Sequence, residues 1–514
     1  MRRALRSASQ VVPLAWSAGG RRFSFQAPLT LDVRSGGYAV LSSSEGPRYL
    51  GQVLERVVAE RPGPSWKLEL ESKASSEAGS VTEAQVAMPI RLLEGAGELL
   101  ARIDGGELVP AQADDSFREA ELEAAPPELA AAWLDRLESG ATLLDIGRQV
   151  DGAGRARLRA EGFARHTFLC GQSGAGKTFA LGVVLERLLL ETDLRLVILD
   201  PNGDYVGLGA VRTGSDVNRS RSEPLRRAEL RDLIGRYRAV ASGVKVFSKG
   251  YEPLKVRFGE LSPEVRAEVL GLDPLADRDE YSAFVRLAEG RGSLSEVRAA
   301  ALKDLSGPAR ELALRIDNLG ICNWDIWAGG EEPSVLDAVS GDERAVVIDL
   351  SSVDTGEEQA VVAGAVLTRL WRDRAQRNPA LVVIDEAHNI CPSVPALRLQ
   401  REGHDQVVRI GGEGRKYGLY LLLVTQRPDK LEPNALSQCD NLMLLRLNGA
   451  ADVERLAATF SFVPPPLLAE APSFTKGEAL LVGGIVTRPT RASFEGRLSH
   501  EGGADVPTAW ATRP

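Results

Sequence analysis

Apolar residues recur with two different periods along this chain, and the change of period divides it. Trp66, Leu68 and Leu70 alternate with Lys67, Glu69 and Glu71, the period of a strand with one buried face. Residues 38–41, 51–58 and 99–103 are further strand candidates, with Gly36-Gly37, Pro62-Gly63-Pro64 and Gly105-Gly106 as turns between them. Short strands at this spacing, over roughly residues 23–108, predict a small barrel or sandwich. Pro126-Pro127 and an amphipathic stretch over 129–137 then predict a helical link, so residues 23–140 form one unit.

From residue 141 the pattern changes. Residues 194–199 (Leu-Arg-Leu-Val-Ile-Leu), 344–349 (Arg-Ala-Val-Val-Ile-Asp), 380–385 (Ala-Leu-Val-Val-Ile-Asp) and 419–424 (Leu-Tyr-Leu-Leu-Leu-Val) are nearly continuous apolar runs. Helical stretches separate them. That alternation predicts an α/β fold with a mainly parallel sheet covered on both faces, over 141–210 and 341–490. Residues 211–340 are charged and helical in period, without strong strand runs, and are expected to be a helical insertion. Its arginine-rich start (Arg219, Arg221, Arg226, Arg227, Arg231, Arg236, Arg238) is either a nucleic-acid contact or a solvated helix face. The interleaved Asp216, Glu223, Glu229 and Asp232 favour the face. Residues 1–22 hold five arginines and no acid, which reads as a poorly ordered tail or a transit peptide. Residues 491–514 read as a C-terminal tail.

Composition narrows the function classes. The chain has 514 residues, 44% hydrophobic and 26% charged, as in soluble multidomain proteins. There is no apolar run long enough to span a membrane, and a cytoplasmic location is expected. The net charge of −9 argues against a surface coated for nucleic acid, while allowing a narrow basic lining. Four scattered cysteines and four scattered histidines form no zinc or disulfide pattern.

The chemistry sits between the predicted strands. Gly171-Gln172-Ser173-Gly174-Ala175-Gly176-Lys177-Thr178 fits the phosphate-cradling pattern G-x-x-x-x-G-K-[ST]. The strand-like Thr167-Phe-Leu-Cys170 precedes it, and Leu181, Val184, Leu185, Leu188 and Leu189 follow on one helical face. Glycines let the backbone wrap phosphates, and the helix start offers its N–H groups to negative charge. Lys177 would reach the β/γ-phosphates of ATP and Thr178 would hold Mg²⁺. The alternative is a glycine-rich turn with a chance lysine.

Asp385 and Glu386 close an apolar strand. Asp385 would hold Mg²⁺ across from Thr178, and Glu386 would orient the attacking water, which favours hydrolysis over phosphoryl transfer. Two acids in a solvated loop are the plainer reading. Gln426 ends the next strand and is a candidate sensor of the γ-phosphate, or a turn residue. Arg415 and Lys416, in Gly412-Glu-Gly-Arg-Lys-Tyr-Gly418, could place a cation on a neighbour's transition state, or Arg415 could pair with Glu413. Asp200, in Asp200-Pro-Asn-Gly-Asp204-Tyr205, is a candidate for the nucleotide-metal shell, although Pro-Asn-Gly is also a good turn.

Taken in order, these motifs resemble the HerA/FtsK superfamily of ring-forming P-loop ATPases with a RecA-like core, the HerA branch above all. The resemblance rests on Asp200-Pro-Asn-Gly-Asp-Tyr205, Asp385-Glu-Ala-His388, Gly414-Arg-Lys-Tyr-Gly418, Thr425-Gln-Arg-Pro428, Arg165-His166 and Leu436-Ser-Gln-Cys439. It covers roughly residues 146–486, with the N-terminal strands as a weaker match to that family's barrel. It implies a homo-hexameric helicase or translocase, with ATP hydrolysed between subunits and double-stranded DNA in a central pore. It implies Arg415 acting in trans, with Lys416 as its rival, and a partner such as a NurA-type nuclease or a sirtuin-like or nuclease effector of antiphage defence. A regulatory ATPase platform that activates a bound effector with little translocation is the competing expectation. Asn202 stands where the family often has His, and Gln-Ser-Gly-Ala where it often has Thr-Thr-Gly-Ser, marking a divergent branch.

Overall fold

The computed structural model describes residues 13–43, 46–61, 65–71, 81–87, 90–150, 154–329 and 332–502. They fall into two compact units. The first is all antiparallel. Its strands are β1 (Leu14–Ser17), β2 (Arg22–Ala27), β3 (Tyr38–Ser43), β4 (Arg48–Arg61), β5 (Ser65–Glu71), β6 (Val81–Ala87), β7 (Ile90–Asp104), β8 (Glu107–Pro110) and β9 (Phe117–Ala124). Six of them run in the order β2-β1-β9-β3-β4-β7, and β7 pairs back onto β2, which closes a barrel and removes its free edges. β8 extends β7, and β5 pairs with β6 as a separate hairpin.

Phe23 and Phe25 fill the barrel interior because β7 places glycines opposite them. A Cβ on Gly97 would lie 2.5 Å from the Phe23 ring, and one on Gly95 2.6 Å from that of Phe25. Gly105 and Gly106 turn the β7–β8 hairpin with φ of +56° and +93°, where other residues would be strained. The predicted link is the helix Pro127–Leu137, which buries Trp133 and Leu134 against Tyr38, Leu50, Leu100 and Leu108. The helix Pro465–Ala469, expected in the core, groups with this unit and packs on β4. The expected tail over 1–22 is also too long. Residues 1–12 lie outside the described residues, but β1 pairs with β2 and β9, and its alternate residues Ala15 and Ser17 are buried. The Pro62-Gly63-Pro64 turn and the burial of Trp66, Leu68 and Leu70 lie outside the described residues.

The second unit is built on one sheet. Its strands are β10 (Leu143–Gln149), β11 (Arg155–Arg159), β12 (His166–Cys170), β13 (Arg195–Asp200), β14 (Val244–Phe247), β15 (Ala345–Asp349), β16 (Ala380–Ile384), β17 (Leu419–Thr425), β18 (Cys439–Leu445), β19 (Glu478–Val482) and β20 (Thr490–Phe494). The order is β11-β10-β20-β19-β18-β12-β17-β16-β13-β15-β14. From β18 to β14 every pairing is parallel, and β19, β20, β10 and β11 add antiparallel strands at one side. Every residue of β12, β13, β15 and β16 is buried, as continuous apolar runs require of a sheet covered on both faces.

Two expectations need correction here. The insertion over 211–340 is mainly helical, with Arg227–Ala241, Arg278–Ala288, Leu294–Lys303 and Gly307–Leu319 among its helices. It also contributes β14, the outermost parallel strand, a four-residue run too short and too broken by Lys245 to stand out. The expected tail from 491 is not a tail as far as residue 502. β20 lies inside the sheet, and residues 495–502 run as a strap beside the helix Lys177–Glu191. There the Glu186 carboxylate accepts the N–H groups of Leu498 and Ser499 at 2.7 and 2.8 Å. The fully buried Arg497 donates to the Thr178 carbonyl at 2.6 Å and lies so close to Gly182 that a side chain there would collide with its guanidinium.

Candidate nucleotide site

β12 runs directly into the glycine loop, and the helix Lys177–Glu191 leaves it. Gly174 and Gly176 have φ of +73° and +96°, conformations open to glycine. A Cβ on Gly171 would lie 2.7 Å from Leu445 Cβ, so the first glycine answers to packing. Ala175 is buried in the core, while Ser173 and Gly174 are exposed. The loop is held in shape by Gln172 N–H to Arg446 O (2.9 Å), Ala175 N–H to Gln172 O (3.2 Å) and Gly477 N–H to Ala175 O (2.8 Å). Gln172 also accepts the Asn448 amide through its side chain, at 3.2 Å. Lys177 Nζ curls back to the Gln172 carbonyl at 3.4 Å, a weak contact that phosphate oxygens would replace.

The sheet order decides what faces this loop. β17 lies between β12 and β16, with Thr425 opposite Cys170 and Leu423 opposite Ile384. Gln426, half-buried, therefore emerges between the phosphate loop and the acidic strand end. Asp385 and Glu386 follow β16 directly, and both are buried. Burial pushes the Asp385 carboxyl up to about 8, against the Glu386 N–H that it accepts at 2.8 Å. Glu386, Asp200 and Asp204 push it further the same way. Glu386 has φ of +41°, one of two non-glycine residues with positive φ among those described. Its Oε2 is buried without a hydrogen-bond partner among the described residues.

The Asp200-Pro-Asn-Gly-Asp204-Tyr205 turn divides its two acids. The Asp200 carboxylate accepts the N–H groups of Asn202 (3.3 Å), Asp204 (3.1 Å) and Tyr205 (2.8 Å), so it holds the turn together. Burial still raises its pKa to about 6. Asp204 is the acid that meets the loop: Thr178 Oγ1 donates to its Oδ2 at 3.1 Å. Sequence reasoning had not singled out Asp204, although the acid at the fifth position of the motif was its signal. The pKa values of Asp200, Asp204 and Asp385 are all raised, with burial the largest cause and neighbouring acids a smaller one. Asp385 and the Thr178 hydroxyl are hard oxygen donors of the kind Mg²⁺ takes with one or two carboxylates and water, although among the described residues no three acids are grouped to hold a metal by themselves.

Arg415 and Lys416 are not brought to this site. They lie in a short turn, Gly414–Tyr417, that leads into the start of β17, one strand length from Gln426. Arg415 pairs with Asp440 at 2.6 Å, not with Glu413, and Lys416 is exposed. Beside it His166 accepts the Leu421 N–H on Nδ1 at 2.9 Å, and burial lowers its pKa to about 4. In the insertion Arg219, Arg226 and Arg236 pair with Asp216, Glu229 and Glu191, the arrangement of a solvated helix face. Among the described residues no helix is long and apolar enough to cross a membrane.

Residues 144–301 match the family described as Helicase HerA, central domain. The chain is 26% identical to the DNA double-strand break repair helicase HerA of Pyrococcus furiosus, over 76% of this chain and 75% of that one. It is also 26% identical to the protein of the same name from Sulfolobus acidocaldarius, over 69% and 70%. Among solved structures it is similar to VirB4 of Thermoanaerobacter pseudethanolicus, with a TM-score of 0.43 and 16% identity over 70% of this chain and 97% of that one. The fold assignment rests on the strand order itself.

Proposed function

Since the chain is a HerA-like P-loop ATPase, we propose that it is a motor that spends ATP to move along or open double-stranded DNA. The observation that carries this reading is the position of β17 between β12 and β16. It puts Gln426 between the phosphate loop and Glu386, which supports a reading in which the glutamine senses the γ-phosphate and the glutamate activates water.

In this reading Lys177 and the loop amides hold the β- and γ-phosphates. Thr178 and Asp385 would hold Mg²⁺, with Asp204 orienting the Thr178 hydroxyl; when bound, the ion neutralises the phosphate oxygens. Glu386 aligns a water with the γ-phosphorus and takes its proton on the free carboxylate oxygen, while the bond to the β-γ bridging oxygen breaks. Gln426 reads the presence of the γ-phosphate and passes it to β17. Arg415, a strand length away within its own chain, serves the site of a neighbouring copy, which calls for a ring and, by resemblance, six chains. DNA would pass through that ring, toward a nuclease of the NurA type or a sirtuin-like or nuclease effector of antiphage defence.

The test is steady-state ATP hydrolysis with and without double-stranded DNA. The reading expects stimulation by DNA and loss of turnover in Lys177→Ala. Hydrolysis indifferent to DNA of every length, in an assembled ring, would overturn it. Co-purification with the products of adjacent genes tests the partner.

A further inference from the structure

Glu386 occupies a backbone conformation that side-chain-bearing residues rarely adopt, φ +41° and ψ +50°. Its main chain is anchored: the N–H donates to Asp385 Oδ1 at 2.8 Å, and the carbonyl accepts the Asn389 N–H at 2.8 Å. Its side chain is not anchored in the same way. Its Oε2 lies 3.3 Å from His388 Nδ1. The same nitrogen lies 2.9 Å from Thr425 Oγ1. Thr425 is the last residue of β17 and fully buried, and its hydroxyl oxygen is fixed by the Arg427 N–H at 3.0 Å. His388 sits on the short turn Ala387–Asn389 that the left-handed Glu386 starts.

The imidazole therefore stands between two strand ends. On one side is the carboxylate that would activate water; on the other is the residue immediately before Gln426. With the proton on Nδ1 the ring donates to Thr425 Oγ1, while the Glu386 oxygen lies 3.3 Å from the same nitrogen without a hydrogen bond to it. A movement of the β17 end would turn that N–H toward or away from the Glu386 carboxylate.

We propose that His388 is a positioning residue that ties Glu386 to Thr425, so that the state of the Gln426 end of β17 sets whether the carboxylate is aligned for hydrolysis. This rests on the reading of Glu386 as the water-activating group. Asp385-Glu-Ala-His388 is thereby one device in two halves: the acids belong to the reaction, and the histidine to its coupling with the neighbouring strand.

The experiment is steady-state ATP hydrolysis by the full-length protein, comparing His388→Ala, His388→Asn, Thr425→Val, the double variant His388→Ala/Thr425→Val and Glu386→Gln. Displacing a reacting group by an ångström costs up to about a hundredfold, so His388→Ala and Thr425→Val should each lower kcat about tenfold or more, with KM for ATP nearly unchanged. The double variant should be no slower than the worse single one, because both break one chain of contacts. His388→Asn, whose amide can donate near the Nδ1 position, should recover most of the loss. Multiplying losses in the double variant, an unchanged kcat in His388→Ala, or equal losses in His388→Ala and His388→Asn would overturn the proposal. Thr425→Val preserves side-chain shape and separates coupling from folding, as read by an unchanged melting temperature. If Glu386→Gln itself retains turnover, the underlying reading fails; if Glu386→Gln is inactive and the His388 variants are not, only this inference fails.

Discussion

Asp200, Asp204, Asp385 and Glu386 lie at or just beyond the C-terminal ends of the parallel strands, and three of their carboxyls are raised above their ordinary pKa values. At the N-terminal ends several arginines find partners within the chain. Arg415 meets Asp440, Arg344 meets Asp193, and Arg195 donates to the carbonyls of Val339 and Glu343. His166 is held neutral against the Leu421 amide. The contrast shows where the fold accepts electrostatic cost. Raised carboxyls and the left-handed Glu386 are concentrated where a phosphate and a cation would relieve them, while the opposite end pairs most of its arginines within the chain.

The largest expected break in that contrast is Glu386→Gln, which should lower turnover by about 10⁴-fold while leaving nucleotide binding intact. Filter binding beside an ATPase assay separates the two. Arg415→Ala removes a charge from the opposite end, yet should cost turnover about 10³-fold if that arginine completes a neighbour's site. Mixing Arg415→Ala with Glu386→Gln chains should then restore measurable activity, since some junctions in mixed rings carry both intact halves. Activity that stays at background in verified mixed rings would place Arg415 outside the reaction.

The opposite end has its own pH signature. Burial lowers the folded-state pKa of His166 to about 4, below the unfolded value near 6.5, so the unfolded chain takes up the proton first. The stability this neutral histidine provides is whole above pH 6.5 and is lost as pH falls from 6.5 to about 4, by about 3 kcal/mol. Denaturant melts across that window should show the slope in the parent protein and a shallower one in His166→Gln.

Two smaller effects sharpen the view of the acidic end. Asp204→Asn weakens the acceptor for Thr178 Oγ1, and one charge-assisted hydrogen bond predicts a loss of about tenfold in kcat/KM. Asp385→Asn should abolish turnover and yet stabilise the nucleotide-free chain by about 1 kcal/mol, because a neutral amide spares folding the cost of protonating a buried carboxyl at neutral pH. A melting temperature that falls instead would mean that Asp385 holds structure as well.

Much of this was legible before any coordinates. The apolar runs at 380–385 and 419–424 correspond to β16 and β17, because fully buried parallel strands leave an unbroken signal. The phosphate loop was legible because its glycines answer to φ and close packing, which no other residue satisfies. What escaped was set by partners distant in sequence. β14 is a strand only because β15 lies beside it, and β20 only because β19 and β10 do. The motif residues around Asp200 named the right turn, but which of its two acids meets Thr178 depends on how three backbone amides fold around the other. His388 read as part of a four-letter string; its link to Thr425 crosses between strands and has no local signature.

The strap over residues 495–502 adds a consequence in time. A chain still on the ribosome that has emerged only as far as β18 already owns the glycine loop and both acids of the β16 end. Its helix start still lacks the Arg497 donor on the Thr178 carbonyl, and the Glu186 carboxylate has no amides to accept. The Asp204 carbonyl likewise waits for the Gly502 amide. Synthesis order therefore withholds a finished nucleotide pocket until residues 495–502 have been translated, so a product that stops short of them carries the motifs of an ATPase before it has the architecture of one.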